Sequence, residues 1–157
     1  MAGALRLAAF TRARKVDVTT IVLHGSAGKS AESSISWLAK IGLSYHYIIE
    51  RDGEVTKLAP VNREAFHAGV SKGPNGPNVN RYSIGICFAT DEKEPITSAQ
   101  IVAATKLCRE VCKVIPTIKH ITCHKFISPG RKTDPARLLT KTLGEMASEL
   151  KLWVFTG

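Results

Sequence analysis

Residues 120–135, HITCHKFISPGRKTDP, carry an unusually dense set of reactive side chains. The stretch contains two histidines, a cysteine, an aspartate, three strongly basic residues and a Pro-Gly turn. It follows one apolar helical pattern and precedes the last one. So many polar groups would make a poor core strand and a poor linker. The stretch therefore indicates a functional site that the rest of the fold supports.

The residue types in this stretch favour a divalent metal. Zinc binds imidazole nitrogen, thiolate or carboxylate at about 2.0–2.3 Å, and it needs only three protein ligands when water fills the fourth position. His124 and Asp134 lie on opposite sides of the turn at residues 128–130, which can fold the segment back so that both reach one ion. Lys132 is two residues before Asp134 and would share its side of an extended segment.

A buried strand is predicted at residues 19–23, TTIVL, with His24 at its C-terminal end. Strand ends often carry site residues in open α/β sheets. A lone histidine there is usually structural, but two more ligand-type residues later in the chain favour a shared metal site. His120 and Cys123 are weaker candidates, because on a strand His120 would lie about 13 Å from His124 and Cys123 would point the opposite way.

Four motifs, taken in order, resemble those of the zinc-dependent N-acetylmuramoyl-L-alanine amidases of type 2, which share a fold with peptidoglycan recognition proteins and amidase-type phage lysozymes. They cover roughly residues 18–145 and are 21–27 (IVLHGSA), 44–49 (SYHYII) with 52–53 (DG), Asn80 with 83–86 (SIGI), and 123–135. The resemblance implies a single α/β domain with a central mixed β-sheet flanked by helices.

The resemblance also implies roles for individual residues. His24, His124 and Asp134 would be the metal ligands, with Zn²⁺ as the cofactor. Tyr45 would lie beside the zinc water and orient or deprotonate it, and Lys132 would stabilise the tetrahedral oxyanion.

Two further residues match positions on the substrate side of the family. His67, in the run HAG at residues 67–69, and Asn80 are expected to bind substrate, although exposed loop residues would look the same. His46 is expected to be structural or to lie behind the metal ligands. Cys87 departs from the family pattern, because cytosolic wall-recycling relatives place a catalytic glutamate there, and Ala136 replaces a glycine that is common after Asp-Pro.

Three functions are compatible with this pattern. The main interpretation is hydrolysis of the amide between N-acetylmuramic acid and L-alanine in peptidoglycan, by a phage or prophage endolysin. The alternatives are a cytosolic amidase that recycles soluble muropeptides and a non-catalytic peptidoglycan-recognition module. Some phage lysozymes of this family also bind an RNA polymerase, and that possibility stays open here.

Length and composition fit this interpretation. A chain of 157 residues suits one domain, with residues 1–17 as an N-terminal arm and 18–157 as the amidase domain. The formal charge of +9 favours polyanions, and peptidoglycan is preferred to nucleic acid because no nucleic-acid motif is present. We expect no membrane span, a monomer, and synthesis in the cytoplasm without a signal peptide, with action on peptidoglycan after release or export.

Several local elements are also predicted. A helix should run from Ser30 or Ser33 to about Ile41, and a hairpin should turn at residues 51–53. Residues 60–80 should be a long loop. A second helix should begin after Thr97, and the last should span Ala136 to about Leu150. Residues 153–155 should pack on the core, and the four cysteines should be reduced, with burial as small apolar residues preferred to disulfide formation.

Overall fold

The computed structural model describes residues 10–26 and 28–157 and is built on a six-stranded mixed sheet. From one edge to the other, the strands are β10 (Trp153–Phe155), β9 (His120–Cys123), β2 (Thr20–Gly25), β8 (Ser83–Phe88), β3 (Tyr47–Ile49) and β4 (Val55–Lys57). Neighbours pair in parallel except β3 and β4, which form the predicted antiparallel hairpin. The predicted single α/β domain is confirmed.

Helices cover both faces of the sheet. They are α1 (Ala31–Ile41), α2 (Ser98–Val114), α3 (His124–Ile127) and α4 (Thr140–Leu150), with a 3₁₀ helix at Val79–Tyr82. The Ser30 side chain caps α1, which ends at Gly42 with φ 70°, and Thr97 and Gln100 form a capping box on α2. The predicted starts of these two helices are confirmed.

The alternation of side chains along β2 decides where the site lies. Ile21 and Leu23 point into the main core with α2 and α4, whereas Val22 packs on the opposite face against Ala68 and Ile127. Since successive side chains on a strand point to opposite faces, His24 lies on the same face as Val22. That face is covered by residues 60–80 and by α3, which bring His67 and His124 to the end of β2.

Three local predictions were wrong in whole or in part. The last helix begins at Thr140 and not at Ala136, because Lys125 Nζ binds the carbonyls of Pro135 and Leu138 and holds this backbone outside a helix. Residues 60–80 contain β5 (Arg63–Ala65), β6 (Lys72–Gly73), β7 (Gly76–Pro77) and the 3₁₀ helix. Val154 and Phe155 pack on the core as predicted, but Trp153 is 74% exposed, because its side chain on the edge strand β10 points to solvent.

The described part of the predicted N-terminal arm packs on the domain. β1 (Thr11–Ala13) pairs with β5, and the half-buried Arg14 donates to the carbonyls of Val61 and Ser83. Residues 1–9 lie outside the described residues, and the boundary at residue 17 stays a prediction. The described cysteines are free, and no helix in the described ranges is long and apolar enough to cross a membrane.

Candidate metal centre

Two parallel strands deliver the histidines of the candidate metal site. β2 and β9 are neighbours, and Leu23 pairs in register with Cys123. The residue that follows each member of this pair is a histidine. His24 lies at the end of β2 and His124 at the start of α3. The carboxyl ends of parallel strands meet at one edge of a sheet, so the register places both imidazoles together.

Asp134 completes the group after the turn that follows α3. His24 Nδ1 lies 3.1 Å from His124 Nδ1 and 3.4 Å from one Asp134 oxygen, and His124 Nδ1 lies 3.2 Å from the other. One ligand atom from each of the three residues lies within 4.8 Å of the others. The three residues that the sequence motif selects are therefore brought together, although their role as ligands stays a prediction.

The donor chemistry of this cluster fits a divalent cation. His124 Nε2 lies 2.9 Å from the Ala68 carbonyl, which can only accept, so this nitrogen carries the proton and Nδ1 of the neutral ring is a free acceptor. His24 has the same tautomer when its Nε2 donates to His67 Nδ1, 2.9 Å away, which leaves its own Nδ1 as a free acceptor. Two imidazole lone pairs and a carboxylate then face one another, and a cation satisfies all of them.

The electrostatics of the cluster favour the metal-binding protonation states. Burial, followed by the neighbouring His124, lowers the pKa of His24 to about 4, so this imidazole is neutral at pH 7. Burial acts to raise the pKa of Asp134. When the Nδ1 atoms carry a proton, hydrogen bonds from His124 and His24 outweigh burial and lower that pKa, and a bound cation in the same place acts in the same direction. Metal ligands must be deprotonated, and both groups meet that condition.

His67 lies behind the cluster of His24, His124 and Asp134. Its Nδ1 contacts His24 Nε2, and its Nε2 lies 3.1 Å from Ser83 Oγ. The side chain is buried, and burial followed by the nearby His24 lowers its pKa well below the usual value. This geometry favours a role in orienting His24 over the substrate contact expected from the sequence, which stays a prediction.

Asn80 holds the loop that carries His67. Its Oδ1 accepts hydrogen bonds from the backbone N–H groups of His67 and Ala68, at 3.1 and 2.8 Å. The side-chain oxygen is therefore already used inside the protein. His46 is structural, as expected, since its buried Nδ1 accepts from Gly85 N at 3.0 Å.

Tyr45 and Lys132 lie on the walls of the cavity above the cluster, which has a volume of about 500 Å³. The Tyr45 ring is centred 4.8 Å from the His24 ring. Burial, followed by the Cys87 thiol, raises the pKa of Tyr45 well above its usual value. Lys132 is exposed and lines the same cavity as Asp134. The structure thus brings both predicted catalytic residues to the ligand cluster.

The cavity has three further features that the sequence motifs did not reveal. Trp37, Ile41 and Leu43, from the end of α1 and the residues after it, form an exposed apolar wall. Arg131 Nη2 donates to the Ala68 carbonyl at 2.7 Å, the same oxygen that accepts from His124. Glu92 also lines the cavity. The helical spacing of Trp37 and Ile41 could have suggested the apolar wall.

Comparison with known proteins agrees with this geometry. The family model described as N-acetylmuramoyl-L-alanine amidase (Amidase_2) matches residues 14–137. The 1,6-anhydro-N-acetylmuramyl-L-alanine amidase AmpD of Escherichia coli (strain K12) is 34% identical over 112 residues, which are 71% of this chain and 61% of that protein. AmpD of Haemophilus influenzae is 36% identical over 97 residues, 60% of this chain and 53% of that protein. The chain thus spans less than two thirds of the length of these relatives.

Solved structures share the fold. AmpDh3 of Pseudomonas aeruginosa, in complex with anhydromuramic pentapeptide, has a TM-score of 0.73 and 26% identity over 87% of this chain and 60% of its own. The endolysin amidase LysCS of Clostridium intestinale has a TM-score of 0.69 and 22% identity over 86% of this chain and 84% of its own, a likeness of fold alone. Because the family model covers most of the sequence, the chain belongs to the N-acetylmuramoyl-L-alanine amidase family.

Proposed function

We propose that this chain is a zinc-dependent amidase that hydrolyses the bond between N-acetylmuramic acid and L-alanine in muropeptides. The observation that carries the proposal is the convergence of His24, His124 and Asp134 beneath an open cavity whose walls hold Tyr45 and Lys132. Three protein ligands leave a coordination position for water or substrate. This open arrangement is typical of a catalytic metal site.

Zinc fits the ligand set better than magnesium or calcium. Those two ions prefer oxygen ligands, whereas two imidazole nitrogens with one carboxylate suit zinc. When bound, zinc supplies Lewis-acid polarisation of the amide carbonyl and makes water a usable nucleophile near neutral pH.

Tyr45 and Lys132 have separate tasks in this mechanism. A phenol whose pKa is raised keeps its proton at pH 7, so Tyr45 acts as a hydrogen-bond donor that orients the attacking water or the carbonyl oxygen. This favours orientation over the alternative in which Tyr45 deprotonates the water. The Lys132 ammonium, which lines the same cavity, stabilises the negative charge that develops on the carbonyl oxygen.

The relatives favour small muropeptides as substrates over intact wall. The name of the AmpD relatives specifies a 1,6-anhydro sugar. In such a sugar the anomeric carbon is bonded through oxygen to C6 of the same sugar, so it cannot form a glycosidic bond to another sugar. The sugar therefore lies at the end of a glycan chain or in a small fragment. We therefore prefer the muropeptide-recycling function, which the sequence analysis gave as an alternative, to the endolysin interpretation.

The endolysin function remains a second candidate because of one observation. Cys87 is fully buried at the position where recycling relatives were expected to place a catalytic glutamate. In the proposed mechanism, catalysis therefore depends on Tyr45 and Lys132. The sequence resemblance associates this arrangement with phage lysozymes.

A substrate comparison tests the proposal. Zinc-loaded protein is incubated with a soluble anhydromuramyl tripeptide and with intact sacculi, and release of peptides that begin with L-alanine is followed by mass spectrometry. We expect faster release from the soluble substrate and a large loss in Lys132→Ala. A preference for sacculi would favour the endolysin function. Binding of either substrate without cleavage would contradict an amidase and favour a recognition module.

A further inference from the structure

The loop that follows β8 reaches the metal cavity through Glu92. Asp91 Oδ1 accepts from the backbone N–H groups of Lys93 and Glu94 and shapes the turn at residues 91–94. Glu92 adopts φ 68° in this turn, in the left-handed region that residues other than glycine rarely occupy. Glu92 forms part of the cavity wall.

The Glu92 carboxyl group lies between the end of β2 and the segment that carries Asp134. One oxygen, Oε2, accepts from the Ala136 N–H at 2.6 Å. The other, Oε1, is buried and has no hydrogen-bond partner among the described residues. Beside Gly25, the carboxyl group fills the space that a side chain would need, because a Cβ placed on Gly25 would lie only 2.6 Å from Glu92 Cδ.

Besides its contacts with His24 and His124, Asp134 is held by backbone groups. Gly25 N donates to its Oδ2 at 3.2 Å, and Lys125 N donates to its carbonyl at 2.9 Å. Glu92 secures the chain on the far side of Asp134, two residues later, at Ala136. The Arg137 guanidinium adds a second contact by donating to the Lys93 carbonyl. The turn at residues 91–94 therefore holds residues 136–137, directly after the third ligand. We call the contacts of Glu92 with Ala136 and of Arg137 with Lys93 the clamp.

We infer that Glu92 is a positioning residue of the metal site, which holds Asp134 in ligand geometry through Ala136 and so sets the metal affinity. A buried oxygen without a partner and a left-handed backbone are both unfavourable, and such features cluster where function requires them. Groups that orient metal ligands typically contribute 10–100-fold to metal affinity. The inference rests on the metal site of the proposed function.

Zinc affinity, measured by competition with a chelator, tests the inference without relying on catalysis. We expect Glu92→Ala to bind zinc about 10–100-fold more weakly than the parent. Glu92→Gln keeps an oxygen for Ala136 N and should retain most of the affinity. Glu94→Ala removes the same charge from the same turn without touching Ala136, and it should bind like the parent. If Gln is as weak as Ala, the charge and not the clamp is responsible, and the inference is wrong.

A double-mutant cycle adds an independent check. Gly25→Ala should expel the Glu92 carboxyl group and lower zinc affinity in the parent, but it should have little further effect when Glu92 is already alanine. Additive losses would show that Gly25 acts on the site by another route and would contradict the clamp.

One further readout separates positioning from a general loss of structure. The melting temperature of the metal-free protein should change little, because the clamp acts on one surface segment. A parent that binds no zinc would refute the proposed function, whereas a parent and Glu92→Ala with equal affinity would refute only the clamp.

Discussion

The imidazoles of His24 and His67 share a hydrogen bond of 2.9 Å between Nε2 of the first and Nδ1 of the second. His67 Nε2 lies 3.1 Å from Ser83 Oγ, so the arrangement continues inward from the metal cluster through a second ring to a buried hydroxyl. A metal-binding histidine is oriented by the partner of its other nitrogen. For His24 that partner is the imidazole of His67, whose other nitrogen contacts Ser83 Oγ.

Replacement of His67 should therefore weaken metal binding. We expect His67→Ala to lower zinc affinity about 10–100-fold, because His24 loses the group that fixes its ring and tautomer. Chelator competition at pH 7.5 measures the effect. If zinc affinity is unchanged and only KM rises, His67 contacts substrate, as its place in the sequence motif suggests.

Lys132 should act on the reaction and not on the metal. We expect Lys132→Ala to lower kcat by about 10²–10³, the typical effect of removing one group that stabilises an oxyanion. Zinc content should stay at one ion per chain. Lys141→Ala removes an exposed lysine on α4 and serves as the control. Equal kcat values for the two variants would remove Lys132 from the mechanism.

The apolar wall of the cavity should contribute to substrate binding. Trp37 is 59% exposed beside the site, so its replacement should cost little stability. We expect Trp37→Ala to raise KM about tenfold, equivalent to about 1.4 kcal/mol of lost contact, with kcat nearly unchanged. Trp153→Ala, on the edge strand β10, is a matched control with the same change of side chain. A KM shift of the same size in both variants would contradict a specific role for Trp37.

Stability of the metal-free protein should fall as the pH is lowered below 6.5. Burial lowers the pKa of His46 from 6.5 to about 3, so between these values the unfolded chain binds a proton at His46 that the folded chain does not. Stability is therefore retained above pH 6.5 and is lost towards pH 3, at up to about 1.4 kcal/mol per pH unit.

Urea unfolding with a chelator present, at intervals from pH 7 to pH 4, measures this dependence. His46→Asn keeps an acceptor for Gly85 N but does not titrate. We expect the slope of unfolding free energy against pH to be smaller in this variant by about one proton equivalent. An unchanged slope would show that His46 takes up its proton in the folded state as readily as in the unfolded one.

The sequence predicted the elements whose signals are local. The apolar run of β2, the Ser30 and Thr97 caps and the turn at residues 51–53 are each encoded within a few residues, and the structure confirms them. The convergence of His24, His124 and Asp134 followed from ordered motifs. Strand register then explains it, because Leu23 pairs with Cys123.

Features that depend on distant contacts could not be predicted. Residues after Asp134 have apolar spacing compatible with a helix, but Lys125 and Glu92 bind this backbone and delay the helix to Thr140. Glu92 itself gave no signal, since its place depends on a left-handed turn and on the space beside Gly25. The contact between His67 and His24 joins residues 43 positions apart, which the HAG motif alone does not indicate.

A crystal structure of zinc-loaded protein, with an anomalous difference map at the zinc edge, tests the central claim most directly. We expect one peak about 2.0–2.3 Å from His24 Nδ1, His124 Nδ1 and an Asp134 oxygen, with its fourth position open to the cavity beside Tyr45 and Lys132. A peak elsewhere, or an ion enclosed by four protein ligands, would contradict a catalytic metal site.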